Sequence, residues 1–106
     1  SLLYVKEEII YDEKALKHLS ADSFLILKTM GEAFKALNEF NHEAIETACR
    51  ELADKYADGK LGKVMMPLRS ALTGTDKSPS LFEVAEVLGQ ETTCSRIQVA
   101  IDMIEK

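Results

Sequence analysis

The apolar residues of this sequence recur at intervals of three and four, the spacing that places side chains on one face of an α-helix. Five such stripes follow one another: Leu27, Met30, Phe34 and Leu37; Ile45, Ala48, Cys49, Leu52 and Tyr56; Leu61, Val64, Met65, Leu68 and Leu72; Leu81, Val84, Ala85 and Leu88; and Ile97, Ala100, Ile101 and Ile104. Each stripe predicts one amphipathic helix that buries its apolar face.

Polar residues mark where the first helices should begin. Asp12 predicts a short first helix, because its carboxylate can accept a hydrogen bond from a first-turn amide, and this helix should stop near Leu19. Ser20 or Asp22 can cap the second helix, and Asn41 is placed to cap the third.

Three glycines mark where helices should end. Gly59, Gly74 and Gly89 each follow an apolar stripe, and glycine readily takes the left-handed conformation that closes a helix. Pro67 interrupts the fourth stripe, because proline has no amide hydrogen to donate and its ring crowds the preceding turn. An unbroken helix should therefore begin near Lys63, and an earlier start implies a kink.

Two devices can start the fifth helix. Either Ser78 caps it with Pro79 at the first helical position, or Ser80 caps it and forms a capping box with Glu83. A last helix is predicted from about Thr92.

The sequence shows no strand alternation, internal repeat or low-complexity tract. We therefore predict an all-α fold, an irregular bundle of about five or six helices, with residues 1–106 as a single domain. The first eleven residues have no clean period, and their structure stays open.

Composition adds limits on chemistry and location. Cys49 and Cys94 lack a CxxC spacing, and His18 and His42 have no metal-like partners nearby, so we expect buried thiols in a reducing cytosol and no metal site. The longest uncharged apolar runs are far shorter than the roughly 20 residues of a membrane span, so no membrane partner is expected. Because the sequence starts with Ser1 rather than Met, we expect a piece of a larger protein or a residual cloning residue.

The distribution of charge singles out one stretch. Between residues 60 and 77 the charged residues are four cations, Lys60, Lys63, Arg69 and Lys77, and one anion, Asp76. This stretch has a net charge of +3, whereas the formal net charge of the chain is −5. Such a local reversal of sign indicates a surface that meets an anion.

No catalytic residues are predicted. The sequence has no glycine-rich phosphate loop and no nucleophile with a recognisable base, and His18 and His42 fit surface and first-turn positions. Asp22-Ser23-Phe24 is similar to the Asp-Ser-Leu of carrier proteins, but helix capping alone would select an aspartate and a serine at a helix start.

Arg69 stands among residues that suit unstacked nucleotide bases. Its guanidinium can stack or fork onto a base, an apolar side chain can cover a base face, and a helix N-terminus can hold a phosphate. Two converging helix ends would supply these groups from Met66, Arg69, Thr73, Ser78, Pro79, Leu81 and Phe82. The alternatives are that Arg69 packs its stem beside Leu68 and Leu72, and that Phe82 belongs to the core.

At these positions the sequence resembles the C-terminal anticodon-binding domain of bacterial-type glutamyl-tRNA synthetases, which are class I aminoacyl-tRNA synthetases. The motifs that carry the resemblance are Gly62-Lys63, Pro67-Leu68-Arg69-Ser70-Ala71-Leu72-Thr73-Gly74, Ser78-Pro79-Ser80-Leu81-Phe82-Glu83, Leu88-Gly89-Gln90-Glu91 and Arg96-Ile97. They cover most of residues 59–97, and the family's upstream part is similar to residues 11–14 and 41–56.

The resemblance implies recognition of the anticodon loop of glutamate tRNA, in support of glutamate ligation during translation. It implies base contacts by Arg69, Ser78, Pro79, Leu81 and Phe82, with Thr73 and Lys63 as further candidates.

The same resemblance implies no cofactor in this domain, since ATP belongs to a catalytic domain that the sequence lacks. It also implies the rest of the synthetase chain as a partner, a cytoplasmic location and a monomer. Whether the parent enzyme accepts only glutamate tRNA, or glutamine tRNA as well, stays open. The alternative function is a helical protein-interaction or scaffolding domain without a nucleic-acid role.

Overall fold

The computed structural model describes residues 10–75 and 80–105. Within these ranges the chain forms six α-helices and no strand: α1 (Glu13–Lys17), α2 (Ala21–Lys35), α3 (His42–Tyr56), α4 (Leu61–Thr73), α5 (Leu81–Leu88) and α6 (Gln90–Glu105). The predicted all-α fold and number of helices are confirmed. Residues 1–9 and the expected Ser78-Pro79 helix start lie outside the described residues.

Two of the predicted caps are formed as expected. Asp12 Oδ1 accepts from the Ala15 amide at 2.7 Å, and Asn41 Oδ1 accepts from the Ala44 amide at 2.9 Å. Ser20 occupies the N-cap position of α2, but its side chain makes no capping hydrogen bond. Each formed cap satisfies an amide that has no acceptor within its own helix.

The core lies where α2, α3, α4 and α6 meet. α6 packs against both α2 and α4, and α5 lies against α3 and α6. The large apolar side chains below 2% exposure come from α2, α3, α4 and α6: Leu27, Met30, Phe34, Ile45, Val64, Leu68, Leu72 and Ile97. Each such residue contributes about 1.5–3 kcal/mol relative to an exposed position. The residues of the predicted stripes therefore lie in the core or pack against it, except that Tyr56 is 42% exposed.

The predicted helix ends also hold. Gly74 and Gly89 are the C-cap residues of α4 and α5, with φ of 74° and 89°. Gly59 has φ of 77° and donates to the Ala53 carbonyl at 2.9 Å, although α3 itself ends at Tyr56. Only residues in this left-handed region require glycine for backbone reasons.

Three helix starts differ from the expectations. α4 begins at Leu61 rather than near Lys63, so Pro67 lies inside it and its kink stays a prediction. α5 begins after Ser80, as the second alternative has it, but the Ser80 side chain makes no capping bond. α6 begins at Gln90 instead of about Thr92, and the single residue Gly89 separates it from α5.

Candidate nucleic-acid interface

The α4 helix presents one partly exposed stripe opposite its buried face. This α4 outer stripe consists of Gly62, Met66, Arg69 and Thr73, whose spacing of three and four places them on one side of the helix. Lys63 is exposed beside it. The helix contains no acidic residue, so its outer stripe carries only positive charge.

Local contacts orient the polar groups of this stripe. Arg69 Nη1 lies 3.4 Å from Met66 Sδ, one turn earlier on the same helix. The Thr73 hydroxyl lies within hydrogen-bond distance of the Arg69 carbonyl, at 2.7 Å, and of the Thr75 carbonyl, at 3.1 Å. The Thr75 amide in turn donates to Thr73 Oγ1 at 3.3 Å. Thr73 therefore serves the end of α4, while Arg69 provides the cationic group of the stripe.

α5 contacts α4, and Phe82 lies in the first turn of α5. Phe82 is partly buried and packs against the core, so part of its ring reaches the surface. Leu81 is only 3% exposed and belongs to the core. The base contact expected of Leu81 stays a prediction. The first-turn amides of α5 have no acceptor within the helix.

Ser78 and Pro79 lie outside the described residues, as do Asp76 and Lys77 of the basic stretch. The structure thus brings Arg69 and Thr73 together near the end of α4, while Phe82 lies in the first turn of α5, a helix that contacts α4. Lys63 lies six residues before Arg69 on α4.

Sequence reasoning missed a cluster that holds the C-terminal end of α4. Arg96 on α6 donates from Nη1 to the Leu72 carbonyl at 2.6 Å, and the Asp12 amide donates to the Gly74 carbonyl at 2.8 Å. We call these four residues the α4 terminus cluster. The signal was present, because Arg96 was part of a motif, but nothing in the sequence indicated which carbonyl it meets.

Tyr11 lies near this cluster. Its hydroxyl is buried and has no hydrogen-bond partner among the described residues. Burial raises the pKa of Tyr11, and the nearby Arg96 guanidinium acts in the opposite direction. The Arg96 guanidinium therefore lies close to Tyr11 as well as to the end of α4.

The residues considered for other chemistry have structural roles. The Ser23 hydroxyl donates to the His18 carbonyl at 2.6 Å, which explains a serine at this helix start. His42 is 51% exposed, and its amide donates to Glu86 Oε2 at 3.1 Å. No group of three metal-ligating side chains occurs in the described part of the chain.

Both cysteines are buried, as expected. Burial, with a smaller contribution from the Glu46 carboxylate, raises the pKa of Cys49 to about 12. Burial also raises the pKa of Cys94, and the Lys35 ammonium opposes the shift. Such thiols stay protonated near neutral pH and are poor nucleophiles.

A second surface has the opposite charge. Between α2 and α3 lies an open groove of about 670 Å³, whose charged lining residues are Glu32, Glu51, Asp54 and Lys55. Phosphates are repelled there, so a polyanion would favour the α4 outer stripe. None of the helices described between residues 13 and 105 is long and apolar enough to cross a membrane.

Comparison with known proteins places this geometry in context. A family model described as an anticodon binding domain matches residues 1–101. The glutamate-tRNA ligase of Flavobacterium johnsoniae is 38% identical over 94 residues, which cover 89% of this chain and 19% of that protein. The glutamate-tRNA ligase of Geotalea uraniireducens is 35% identical over 107 residues, covering 100% of this chain and 23% of that protein.

The fold is also found in a solved structure. A glutamate tRNA ligase from Elizabethkingia meningosepticum, crystallised in complex with its amino acid, superposes with a TM-score of 0.81 at 37% identity. The match covers 93% of this chain and 20% of that protein. The chain thus spans about a fifth of the length of the relatives it matches.

Proposed function

This chain belongs to the anticodon binding domain family of the glutamate-tRNA ligases, and from that premise we propose that it binds the anticodon loop of a glutamate tRNA. The resemblance indicated by the motifs of residues 59–97 is confirmed by the family match. In the proposal, residues 1–106 act as the C-terminal domain of a ligase whose other parts bind ATP, glutamate and the acceptor end. The proposed setting is a cytoplasmic monomer.

The observations that carry the proposal are the partly exposed Arg69 on the cationic α4 outer stripe and Phe82 in the first turn of α5, a helix that contacts α4. Arg69 supplies a planar cation that can stack on a base or donate two parallel hydrogen bonds to its edge. Phe82, partly buried in the first turn of α5, is proposed to supply an aromatic face. Unstacked loop bases are recognised by such a combination, since stacking accepts any base and the guanidinium selects among base edges.

The other candidates receive different roles. Ser78 and Pro79 are proposed as base contacts on the strength of the family resemblance. Lys63, exposed on α4, is proposed to meet a backbone phosphate. Thr73 is proposed to support Arg69 through its hydrogen bond to the Arg69 carbonyl. Leu81 is proposed to act from the core, by fixing the position of Phe82.

The charge distribution supports a small electrostatic contribution to binding. The chain carries a net charge of −5, so few phosphates can be neutralised outside the α4 region. Each phosphate contact on a single strand changes the slope of log affinity against log salt by about −0.7. We expect a shallow salt dependence for this domain, with base contacts providing most of its specificity.

The test compares two arginines in the full-length ligase. Arg69→Ala removes the proposed base contact, whereas Arg50→Ala removes an exposed arginine of α3 that pairs with Glu46 at 2.8 Å. The measurement is kcat/KM for tRNA with the native anticodon and for tRNA with one substituted anticodon base. We expect Arg69→Ala to reduce this discrimination about tenfold or more, as for a lost charge-assisted hydrogen bond of about 1.5–3 kcal/mol, and Arg50→Ala to leave it unchanged.

Two substitutions separate the ring of Phe82 from its packing. Phe82→Leu keeps an apolar side chain against the core but removes the flat face, whereas Phe82→Ala removes both. We expect Phe82→Leu to weaken tRNA recognition while largely preserving thermal stability. If Arg69→Ala leaves the discrimination intact and Phe82→Ala lowers only stability, the surface does not read bases, and the protein-interaction alternative gains support.

A further inference from the structure

The C-terminal end of α4 is held from outside the helix. The last carbonyls of an α-helix have no partner within it, and here Leu72 O receives Arg96 Nη1 at 2.6 Å while Gly74 O receives the Asp12 amide at 2.8 Å. The donors come from α6 and from the start of α1, far away in the sequence. The orientation of the last turn of α4 therefore depends on tertiary contacts.

A guanidinium is well suited to this position. A cation at a helix C-terminus is stabilised by the helix dipole, and a hydrogen bond from a charged donor is stronger than one between neutral groups. The bonded carbonyl belongs to Leu72, whose side chain is 0% exposed and fixed in the core. Arg96 thus joins a rigid core position of α4 to α6.

The turn held in this way is the one that carries the proposed recognition groups. Arg69 lies three residues before Leu72 on the same helix, and Thr73, which bonds the Arg69 carbonyl, follows directly after Leu72. Gly74 then ends the helix in the left-handed conformation. A shift at the Leu72 carbonyl would therefore move Arg69.

We propose that Arg96 is a positioning residue for anticodon recognition, which fixes the last turn of α4 so that Arg69 meets its base in a single orientation. This inference rests on the proposed function. Arg96 need not touch the RNA, because its effect is transmitted through the Leu72 carbonyl. Ordinary loss of stability is the competing explanation, and it calls for a matched control.

Gln90 provides that control. It also lies on α6, and its side-chain amide nitrogen, Nε2, donates to the Phe34 and Leu37 carbonyls at the C-terminal end of α2, at 2.7 and 2.9 Å. Arg96→Met and Gln90→Met each keep an unbranched stem and remove a donor from another helix's end. Only Arg96→Met releases the helix that bears Arg69.

The experiment uses the full-length ligase and measures kcat/KM for tRNA with the native and with a substituted anticodon, beside the thermal unfolding midpoint. We expect both variants to lower the midpoint, but only Arg96→Met to reduce anticodon discrimination, by about tenfold. In an Arg69→Ala background, Arg96→Met should cause no further loss of discrimination, because the group it positions is gone. Arg96→Lys, which keeps a cation with a single donor head, should recover part of the discrimination.

Three outcomes overturn the inference. The first is equal anticodon discrimination in the Arg96→Met and Gln90→Met variants, and the second is that the losses of discrimination from Arg96→Met and Arg69→Ala add up. The third, which applies if Arg96→Met does not fold, is full discrimination in Arg96→Lys. In each of these outcomes a loss caused by Arg69→Ala alone still upholds the proposed function. If Arg69→Ala itself has no effect, the proposed function fails, and the inference fails with it.

Discussion

Gln90 offers the sharpest test of how this bundle is held together. Its Nε2 lies 2.7 Å from the Phe34 carbonyl and 2.9 Å from the Leu37 carbonyl, with the Lys35 carbonyl more distant at 3.4 Å. An amide nitrogen has two hydrogens, so the two short contacts are the effective bonds. A single side chain of α6 thus adds donors at the end of α2, beside the local bonds from the Ala36 and Leu37 amides.

The cost of removing this contact can be worked out from those two bonds. A hydrogen bond contributes about 0.5–1.5 kcal/mol net, and a partly buried carbonyl left without a donor costs somewhat more. Gln90→Met should therefore destabilise the chain by about 2 kcal/mol. For a domain of about 100 residues, 1 kcal/mol lowers the melting temperature by about 4–8 °C, so we expect a decrease of about 8–16 °C.

Helical circular dichroism during heating measures the change. Gln98→Met is the matched control, because Gln98 lies on the same helix but its amide bonds only the exposed Asp102 carboxylate, at 2.9 Å. The control should shift the melting temperature by no more than about 2 °C, since exposed pairs one turn apart contribute only a few tenths of a kcal/mol. Equal shifts in the two variants would show that the termination of α2 by Gln90 contributes nothing measurable.

Two further predictions concern backbone and titration. Gly62→Ala should raise the melting temperature by a few degrees, because a methyl group there meets nothing within 4 Å and alanine favours a helix by about 1 kcal/mol; Gly74→Ala, at φ of 74°, should lower it. A decrease for Gly62→Ala would point to a role for that glycine's backbone. The pKa of Cys49 is raised from an ordinary 9.0 to about 12, so its contribution to stability is complete below pH 9 and is lost as pH rises toward 12. Urea unfolding between pH 8 and 11 should show a smaller alkaline loss in Cys49→Ala, and iodoacetamide should modify Cys49 much faster in urea than in the native protein.

Local signals predicted the elements whose partners are close in sequence. Asp12 and Asn41 cap helices through amides three residues away, and Gly74 and Gly89 take the backbone conformation that ends a helix. The apolar periods likewise predicted the buried faces, because burial follows directly from side-chain spacing. Leu81 was correctly placed on such a stripe and is only 3% exposed.

The features that sequence could not supply depend on distant partners. Gln90 bonds carbonyls more than fifty residues earlier, and Arg96 bonds Leu72 across the bundle. No local pattern specifies such a pair. The start of α4 at Leu61 was missed because the helix continues through Pro67, which removes only one backbone hydrogen bond.

The dependence of α2 and α4 on α6 has a consequence for the order in which the protein is made. Both helices are synthesised before Gln90 and Arg96, so the hydrogen bonds from these two side chains can form only afterwards. At about 5–20 residues per second, the interval between Lys35 and Arg96 lasts roughly 3–12 s. Over that time the nascent bundle lacks the side chains that close two of its helices, and its final packing waits for α6.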